Sequence, residues 1–338
     1  MIRFPIINMY IKRQLPQKRD TDDEDWSIFF YNPSLAASVL FSILYMIPLV
    51  YHTYISYIAH KKTSGKYFRY SYSAPIIIAA VIEINGYAER AASTQSTQDI
   101  GLFASSQTMI VLAPVLVCAS LYVLLGRIIR STCTLEGQAR DWDARGRGTG
   151  IGTRREEAAG EAEKRPDVKV GGIVRVSYLP KIFITLDVAA MLTQGGGSAI
   201  AASGEWKGTM KDIGTGVLIG GLALQVATFA VFLSVVVAFH QEILRHGEEG
   251  MKMVLQGVYI AGLFIMIRSI FRLIEFALGT ESYVMTHEWP LYVLEAVPML
   301  IAFMVLGWYH PSRWISVEGA GVSKARAWYE RYKGGFFT

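Results

Sequence analysis

The stretch from Val254 to Gly279 is apolar and long enough to cross a bilayer, yet it carries Arg268, Arg272 and Glu275. Crossing the hydrocarbon core takes about 20 residues of helix, and a charged group at the centre of such a helix costs roughly 2.5–3.5 kcal/mol on insertion scales. The three charges stand at i, i+4 and i+7, so a single helix face carries them all. A stripe of charge that faces one way needs a polar interior to face. The run therefore belongs to a bundle of spanning helices rather than to a lone anchor.

The rest of the chain supplies that bundle. It has 338 residues, of which 52% are hydrophobic and only 18% charged, and a mean hydropathy of +0.30. That balance is too apolar for an ordinary soluble domain and fits an all-α polytopic membrane protein. Apolar segments of near-spanning length fall at about 35–58, 75–92, 101–126, 179–202, 213–239, 254–279 and 290–310. The second is the least hydrophobic. Tyrosines 51, 54 and 57 border the first, and Trp308, Tyr309 and Trp314 border the last, as interfacial belts do.

Lys and Arg counts orient the segments. The 59–74 connection carries Lys61, Lys62, Lys66 and Arg69, the 127–178 connection eleven basic residues, and the tail after Pro311 five. The alternate connections are poor, with none in 93–100, two in 203–212 and none in 280–289. The 240–253 connection is weaker evidence, with Arg245 and Lys252 against three glutamates. The positive-inside rule then predicts seven transmembrane helices with the N-terminus outside and the C-terminus cytoplasmic. The expected division is an extracellular tail over 1–34, a transmembrane domain over 35–310 and a cytoplasmic tail over 311–338. The Gly-, Arg- and Glu-rich stretch 130–177 is expected to be a disordered cytoplasmic loop.

Several function classes drop out. No GxxxxGK[ST] occurs, so a P-loop ATPase is excluded on this chain. The net charge of +5 does not indicate nucleic acid, because the basic residues lie between apolar spans. Cys118 and Cys133 form no disulfide framework. The apolar stretch at the N-terminus is short and broken by Pro5, unlike a cleavable signal. His52, His240 and His310 sit at cytoplasmic helix ends, where a zinc hydrolase site could form, but no HExxH-type spacing supports one. No lysine lies deep in the last span, which disfavours a retinal Schiff base. The chain is expected to be no enzyme and to hold no cofactor or metal.

Polar residues inside the spans are the candidate site. Glu83, Tyr87 and Arg90 repeat the i, i+4, i+7 spacing in the second span, beside Gly86; Asp187 and Gln194 share a face of the fourth; Glu295 lies in the seventh, followed by Pro298. At 1.5 Å per residue, Arg268 lies about 21 Å from the cytoplasmic end of its helix, past the midplane. The acids and arginines are expected to form one layer in the middle and outer half of the bundle, with carboxylates from the second, fourth and seventh spans facing Arg268 and Arg272. Alternatives stand beside this reading. The network either holds the bundle together or also lines a substrate path. Arg90 either joins it or snorkels to the outer interface. Gln107 and Gln225 read as helix bridges, and Gly195–Gly197, Gly216 and Gly220 as close-packing contacts rather than a flexible gate.

Taken together, the dispersed motifs resemble a known family. Glu83-x-x-Gly86-Tyr87-x-x-Arg90, Gln107 with Ala113-Pro114, and Asp187 with Gln194-Gly195-Gly196 are similar to the fungal lipid-translocating exporters, the seven-helix RTA-like proteins. The likeness continues through Gly221-Leu222-x-x-Gln225, Arg268-x-x-Phe271-Arg272-x-x-Glu275-x-x-x-Gly279, His287-Glu288-x-x-x-Tyr292, Pro298-Met299 and His310-Pro311. Tyr31-x-Pro33-Ser34 and His52 resemble its N-terminal part. Two departures stand out: Glu295 occupies a position where aspartate is expected, and the 130–177 stretch is longer than usual. The resemblance implies a plasma-membrane protein tied to resistance toward amphiphilic toxins. It also implies movement or sensing of sphingoid bases, sterol-like compounds or porphyrin. The expected partners are membrane lipids or amphiphilic small molecules, with cytoplasmic proteins possible; oligomeric state is left open. A cationic amphiphile needs an acid for its ammonium and an apolar path for its chain. Glu83, Asp187, Glu275 and Glu295 are the acids available. The rival reading is a seven-helix receptor or membrane-stress sensor signalling through its cytoplasmic loops.

Overall fold

The computed structural model describes residues 29, 31–62, 72–145, 169–170, 174–175, 178–203, 208–246, 249–279 and 282–314. Apart from one pair of two-residue strands, β1 (Lys169–Val170) and β2 (Val174–Arg175), the regular structure among these residues is helical. The long helices are α1 (Leu35–Lys62), α2 (Ser73–Gln95), α3 (Ile100–Arg145), α4 (Leu179–Ser203), α5 (Gly208–His246) and α6 (Glu249–Leu278). The last run opens as a π-turn over Leu291–Ala296 and continues as α7 (Val297–Trp308); single helical turns lie at Tyr283–Thr286 and Pro311–Trp314. Among the described residues, five segments are long and apolar enough to cross a membrane by length and composition: 35–58, 101–129, 208–240, 250–278 and 291–314. The chain is a multi-pass all-α membrane protein. The runs α2 and α4 are the ones that carry Glu83, Glu89 and Arg90, and Lys181 and Asp187, which lower their hydropathy.

Local chemistry sets the helix ends. Ser34 Oγ accepts the Ala37 N–H at 3.3 Å and Asp99 Oδ1 the Leu102 N–H at 3.1 Å, capping α1 and α3. Gly279 leaves α6 at a φ of +78°, a left-handed stop that glycine adopts without penalty. The π-turn has a cause in the sequence. Pro298 has no N–H to bond the carbonyl of Leu294, so the ladder slips and the Val297 N–H reaches back to the Tyr292 oxygen.

One expectation needs correction here. The third helix does not end near 126 but runs to Arg145, so the start of the expected disordered loop is helical. The reason is compositional: Leu135, Glu136, Gln138, Ala139 and Arg140 are good helix formers, with no proline to stop them. Of the remainder of that stretch, 169–170 and 174–175 pair as β1 and β2, and 146–168, 171–173 and 176–177 lie outside the described residues, as do the acidic cluster Asp20–Asp25 and the tail from 315.

The helices close into a ring. Each packs on its neighbour in sequence, α7 returns to α1, and α3 also touches α5 and α6 from the centre. Small residues let backbones approach. A Cβ on Gly197 would lie 2.7 Å from the Gly214 oxygen, and one on Gly221 2.9 Å from the Ala190 oxygen, so α4 and α5 meet through Gly197, Gly214 and Gly221. This corrects the expected contacts: Gly195, Gly196, Gly216 and Gly220 would meet nothing within 4 Å and face outward. On the other side, Gly307 of α7 admits the Tyr51 ring, and Gly86 of α2 admits Ile110 of α3.

Directions alternate around the ring. Ser34 before α1, Arg90 near the end of α2, Phe103 early in α3 and Glu288 before α7 lie at one end, linked through Phe29 and Tyr31. At the other end, His52 of α1 bonds the Phe303 carbonyl at 3.0 Å, and His310 bonds Ser73 at 2.9 Å.

Candidate functional site

Glu295 is the hub of the interior, buried and held by two guanidinium groups. Arg268 Nη2 donates to its Oε1 at 2.6 Å, and Arg272 Nη1 lies 3.5 Å from its Oε2. Arg272 Nη1 also pairs with Glu275 Oε2 at 2.9 Å, and its guanidinium lies 5.0 Å from the Phe276 ring centroid. Two cations thus meet two anions, and the set is balanced. Such a group survives burial only when its hydrogen bonds are also met. Pro114 contributes one of them. Because proline cannot donate, the Ile110 carbonyl four residues earlier is left without its helical partner, and Arg268 Nη2 takes it at 2.9 Å.

Glu83 belongs to the same place from the α2 side. It is 1% exposed, lies in the field of Arg268 and Glu295, and its Oε2 has no hydrogen-bond partner among the described residues. One turn on, Tyr87 is wholly buried and stacks on Tyr45 at 5.5 Å between ring centroids, and its hydroxyl is likewise without a partner there. Tyr45 spends its own hydroxyl on the Ala296 carbonyl, at 2.8 Å.

Arg90 does not snorkel. It is 0% exposed, and its Nη2 donates to the Tyr31 hydroxyl and lies 3.4 Å from Glu288 Oε1, while Nε lies 3.5 Å from the Tyr292 hydroxyl. The Phe29 and Tyr292 rings stand 5.6 and 5.8 Å from the guanidinium carbon. Glu288 also accepts the Ser34 N–H at 2.8 Å and the Tyr292 hydroxyl at 3.0 Å. Interior partners outcompete the interface because the segment before α1 folds over the end of α2. Burial raises the Tyr31 phenol above its ordinary range, against the pull of Arg90. It remains a neutral hydroxyl.

Asp187 and Gln194 lie apart from the arginines, contrary to the expected single layer. Tyr122 of α3 donates to Asp187 Oδ2 at 2.7 Å, and Gln194 Nε2 donates to Gln225 Oε1 at 3.0 Å. The reason is the ring order: α4 packs on α3 and α5, away from α6. The structure therefore brings together Arg268, Arg272, Glu275 and Glu295, with Glu83 and Tyr87 on the α2 side, holds Arg90 in a group of its own with Tyr31, Glu288 and Tyr292, and leaves Asp187 and Gln194 in separate groups. Gln225 does bridge helices as expected. His240 packs on Tyr259 rather than on His52 and His310, and no cluster of three metal-ligating side chains occurs among the described residues.

Sequence reasoning had set Glu288, Tyr292, Tyr31, Tyr45 and Tyr122 outside the site. A signal existed for the first two, since Glu288, Tyr292 and Glu295 repeat the i, i+4, i+7 spacing of α2. Tyr31 stands in one of the motifs of the resemblance, while nothing marked Tyr45 or Tyr122.

A multi-pass helical protein with a balanced ion-pair layer and an unpartnered acid beside it is the class that fold and site define. The particular family follows from comparison. The family profile described as "RTA1 like protein" matches residues 76–136 and 171–318, and the chain belongs to that family. It is similar to "Protein RTM1" of Saccharomyces cerevisiae, 24% identical over 85% of this chain and 92% of that protein. It is also similar to "Probable lipid transporter atnI" of Emericella nidulans, 24% identical over 85% of this chain and 68% of that one. A third relative is "Sphingoid long-chain base transporter RSB1" of Saccharomyces cerevisiae, 23% identical over 72% of this chain and 65% of that one. No solved structure matches the chain significantly.

Proposed function

We propose that the protein is a plasma-membrane translocator of amphiphilic lipids, sphingoid long-chain bases and sterol-like toxins among them, and that it is neither an enzyme nor an ATPase. It crosses the membrane seven times, with the N-terminus outside, and the substrate headgroup passes through the ion-pair layer. Relatives named as lipid and sphingoid-base transporters support the substrate class. The observation that carries the site is Glu83. Glu295 and Glu275 are occupied by arginines, whereas the buried Glu83 carboxyl has an oxygen with no partner among the described residues. An unmet buried polar atom is costly, and a cationic headgroup is the ligand that satisfies it. The Arg272–Glu275 pair then acts as a lock on the bundle, loosened when a substrate ammonium competes for acid.

Glu83→Gln and Glu275→Gln, made separately and checked for surface expression, test this by outward movement of a labelled long-chain base. Glu83→Gln is expected to lower flux about tenfold or more, the loss of one charge-assisted contact. Glu275→Gln should change it less, because Arg272 retains Glu295. Unchanged flux in both variants removes the layer from the mechanism.

A further inference from the structure

Glu83, Arg268 and Glu295 are all buried, so a headgroup reaches or leaves the layer only where part of the bundle moves aside. The cover differs between the walls and the mouth. Around the walls, helix packs on helix. At the Arg90 end, the cover is one short segment and a few side chains. Phe29 meets Phe103 of α3 edge-on, at 5.1 Å between centroids, and the Tyr31 hydroxyl accepts from Arg90 of α2. The Ser34 N–H donates to Glu288, ahead of α7, at 2.8 Å. Phe29 and residues 31–34 thus form a strap that leads into α1 and touches α2, α3 and the chain entering α7. Beneath it, Tyr87 of α2 and Tyr292 of the π-turn stand 6.4 Å apart, with Phe41 of α1 stacked on Tyr292 at 5.1 Å. Glu83 lies one turn further in along α2, and Glu295 three residues on from Tyr292.

The fastenings are weak ones. Arg90 reaches Glu288 through one nitrogen at 3.4 Å and Tyr292 through another at 3.5 Å, both long for hydrogen bonds. Its Nη1 is buried with no partner among the described residues, so the strong two-pronged fork of arginine on carboxylate is not made. Glu288 divides itself among Arg90, Tyr292 and the Ser34 N–H. Its side chain is 13% exposed, so water is at hand to replace each contact as it breaks. Arg268, deeper in, holds Glu295 at 2.6 Å. We propose that Phe29 and residues 31–34 are a gate over the Arg90 end of the headgroup path, shut in this structure and fastened by Tyr31 on Arg90 and Ser34 on Glu288. The strap turns about the start of α1, where Ser34 Oγ caps the helix, and lifting it uncovers the rings of Tyr87 and Tyr292. The gate regulates access to the site proposed above and rests on that reading.

The test has two arms, both on the full-length chain with Cys133 replaced by alanine. In the first, Ser38→Cys places a thiol beneath the strap, where Ser38 is buried and lies 2.9 Å from the Tyr292 hydroxyl. Native Cys118, buried in the bundle, is the control. In nanodiscs, a charged thiol reagent should modify position 38 slowly. Adding Tyr31→Phe or Glu288→Gln should speed it about tenfold, the shift that loss of one hydrogen bond to a charged group supports, while Cys118 stays unreactive. Tyr31→Phe serves where Glu288→Gln does not fold. Equal rates with and without the added substitutions overturn the gate. A rise at Cys118 as large as that at position 38 also overturns it, because the whole bundle has then loosened. In the second arm, Ser34→Cys and Glu288→Cys are bridged in liposomes by a cleavable bifunctional thiol reagent. Movement of a labelled long-chain base is expected to cease on bridging and to recover on cleavage. Undiminished movement by the bridged protein overturns the gate while leaving lipid transport standing. A chain that moves no lipid before bridging overturns the transport reading and the gate with it.

Discussion

Glu295 shows how narrowly a single side chain can be held. It bridges two arginines from one helix, and its length sets the 2.6 Å contact to Arg268. Removing one partner from a buried ionic group strands the rest, at a cost of about 3–5 kcal/mol. Glu295→Gln is therefore expected to lower the thermal unfolding midpoint of the detergent-solubilised protein sharply, since Arg268 then loses its paired carboxylate and Arg272 one of its two. Glu295→Asp keeps the charge and shortens the arm by one methylene, so its midpoint should fall by less. An equal fall for both would show that reach, and not charge, governs the site. The i, i+4, i+7 spacing made Arg268, Arg272 and Glu275 legible as one stripe. Their partners were not legible, because an acid in another span carries no mark of which helix it faces.

Among the elements, the α4–α5 pair gives the clearest contrast. Gly214 faces α4 so closely that a Cβ would lie 2.6 Å from the Gly197 oxygen, whereas Gly216, two residues on, would meet nothing within 4 Å. Gly214→Leu should destabilise the protein by at least about 1–3 kcal/mol, as overpacking does, or block its accumulation in the membrane. Gly216→Leu should stay within about 0.5 kcal/mol, as outward-facing substitutions do. Midpoints measured in detergent for the two variants decide it, and equal losses would contradict the assigned register. The run of glycines was visible in the sequence, but helical rotation decides which of them pack. The prolines behave similarly. Pro114 and Pro298 announced breaks in hydrogen bonding, while the use of those breaks, an acceptor for Arg268 and a π-turn that carries Glu295, depends on what packs alongside.

At the scale of the whole molecule, the ring closes only because α7 returns to α1. That closure puts Arg90, Tyr31 and Glu288 at one end and His52, Ser73 and His310 at the other. With Cys118 and Cys133 replaced by alanine, Ser96→Cys should react with a membrane-impermeant thiol reagent on intact cells. Arg313→Cys should react only after permeabilisation. The opposite pattern would reverse the proposed orientation and place the Arg90 end of the bundle in the cytoplasm.

The sequence by itself determined that this chain is a helical membrane protein with charge in its interior, and where its apolar helices lie, though not how far the third runs. Apolar length, helical periodicity and the placement of Lys and Arg are local properties, readable one segment at a time. Only the tertiary structure decided that Asp187 answers to Tyr122 while Glu295 answers to two arginines, and that Glu83 keeps an unmet oxygen beside them. Those assignments depend on the order of helices around the ring and the rotation of each about its axis. Both are fixed by close packing between segments far apart in the chain, a fit that hydrophobic periodicity does not encode.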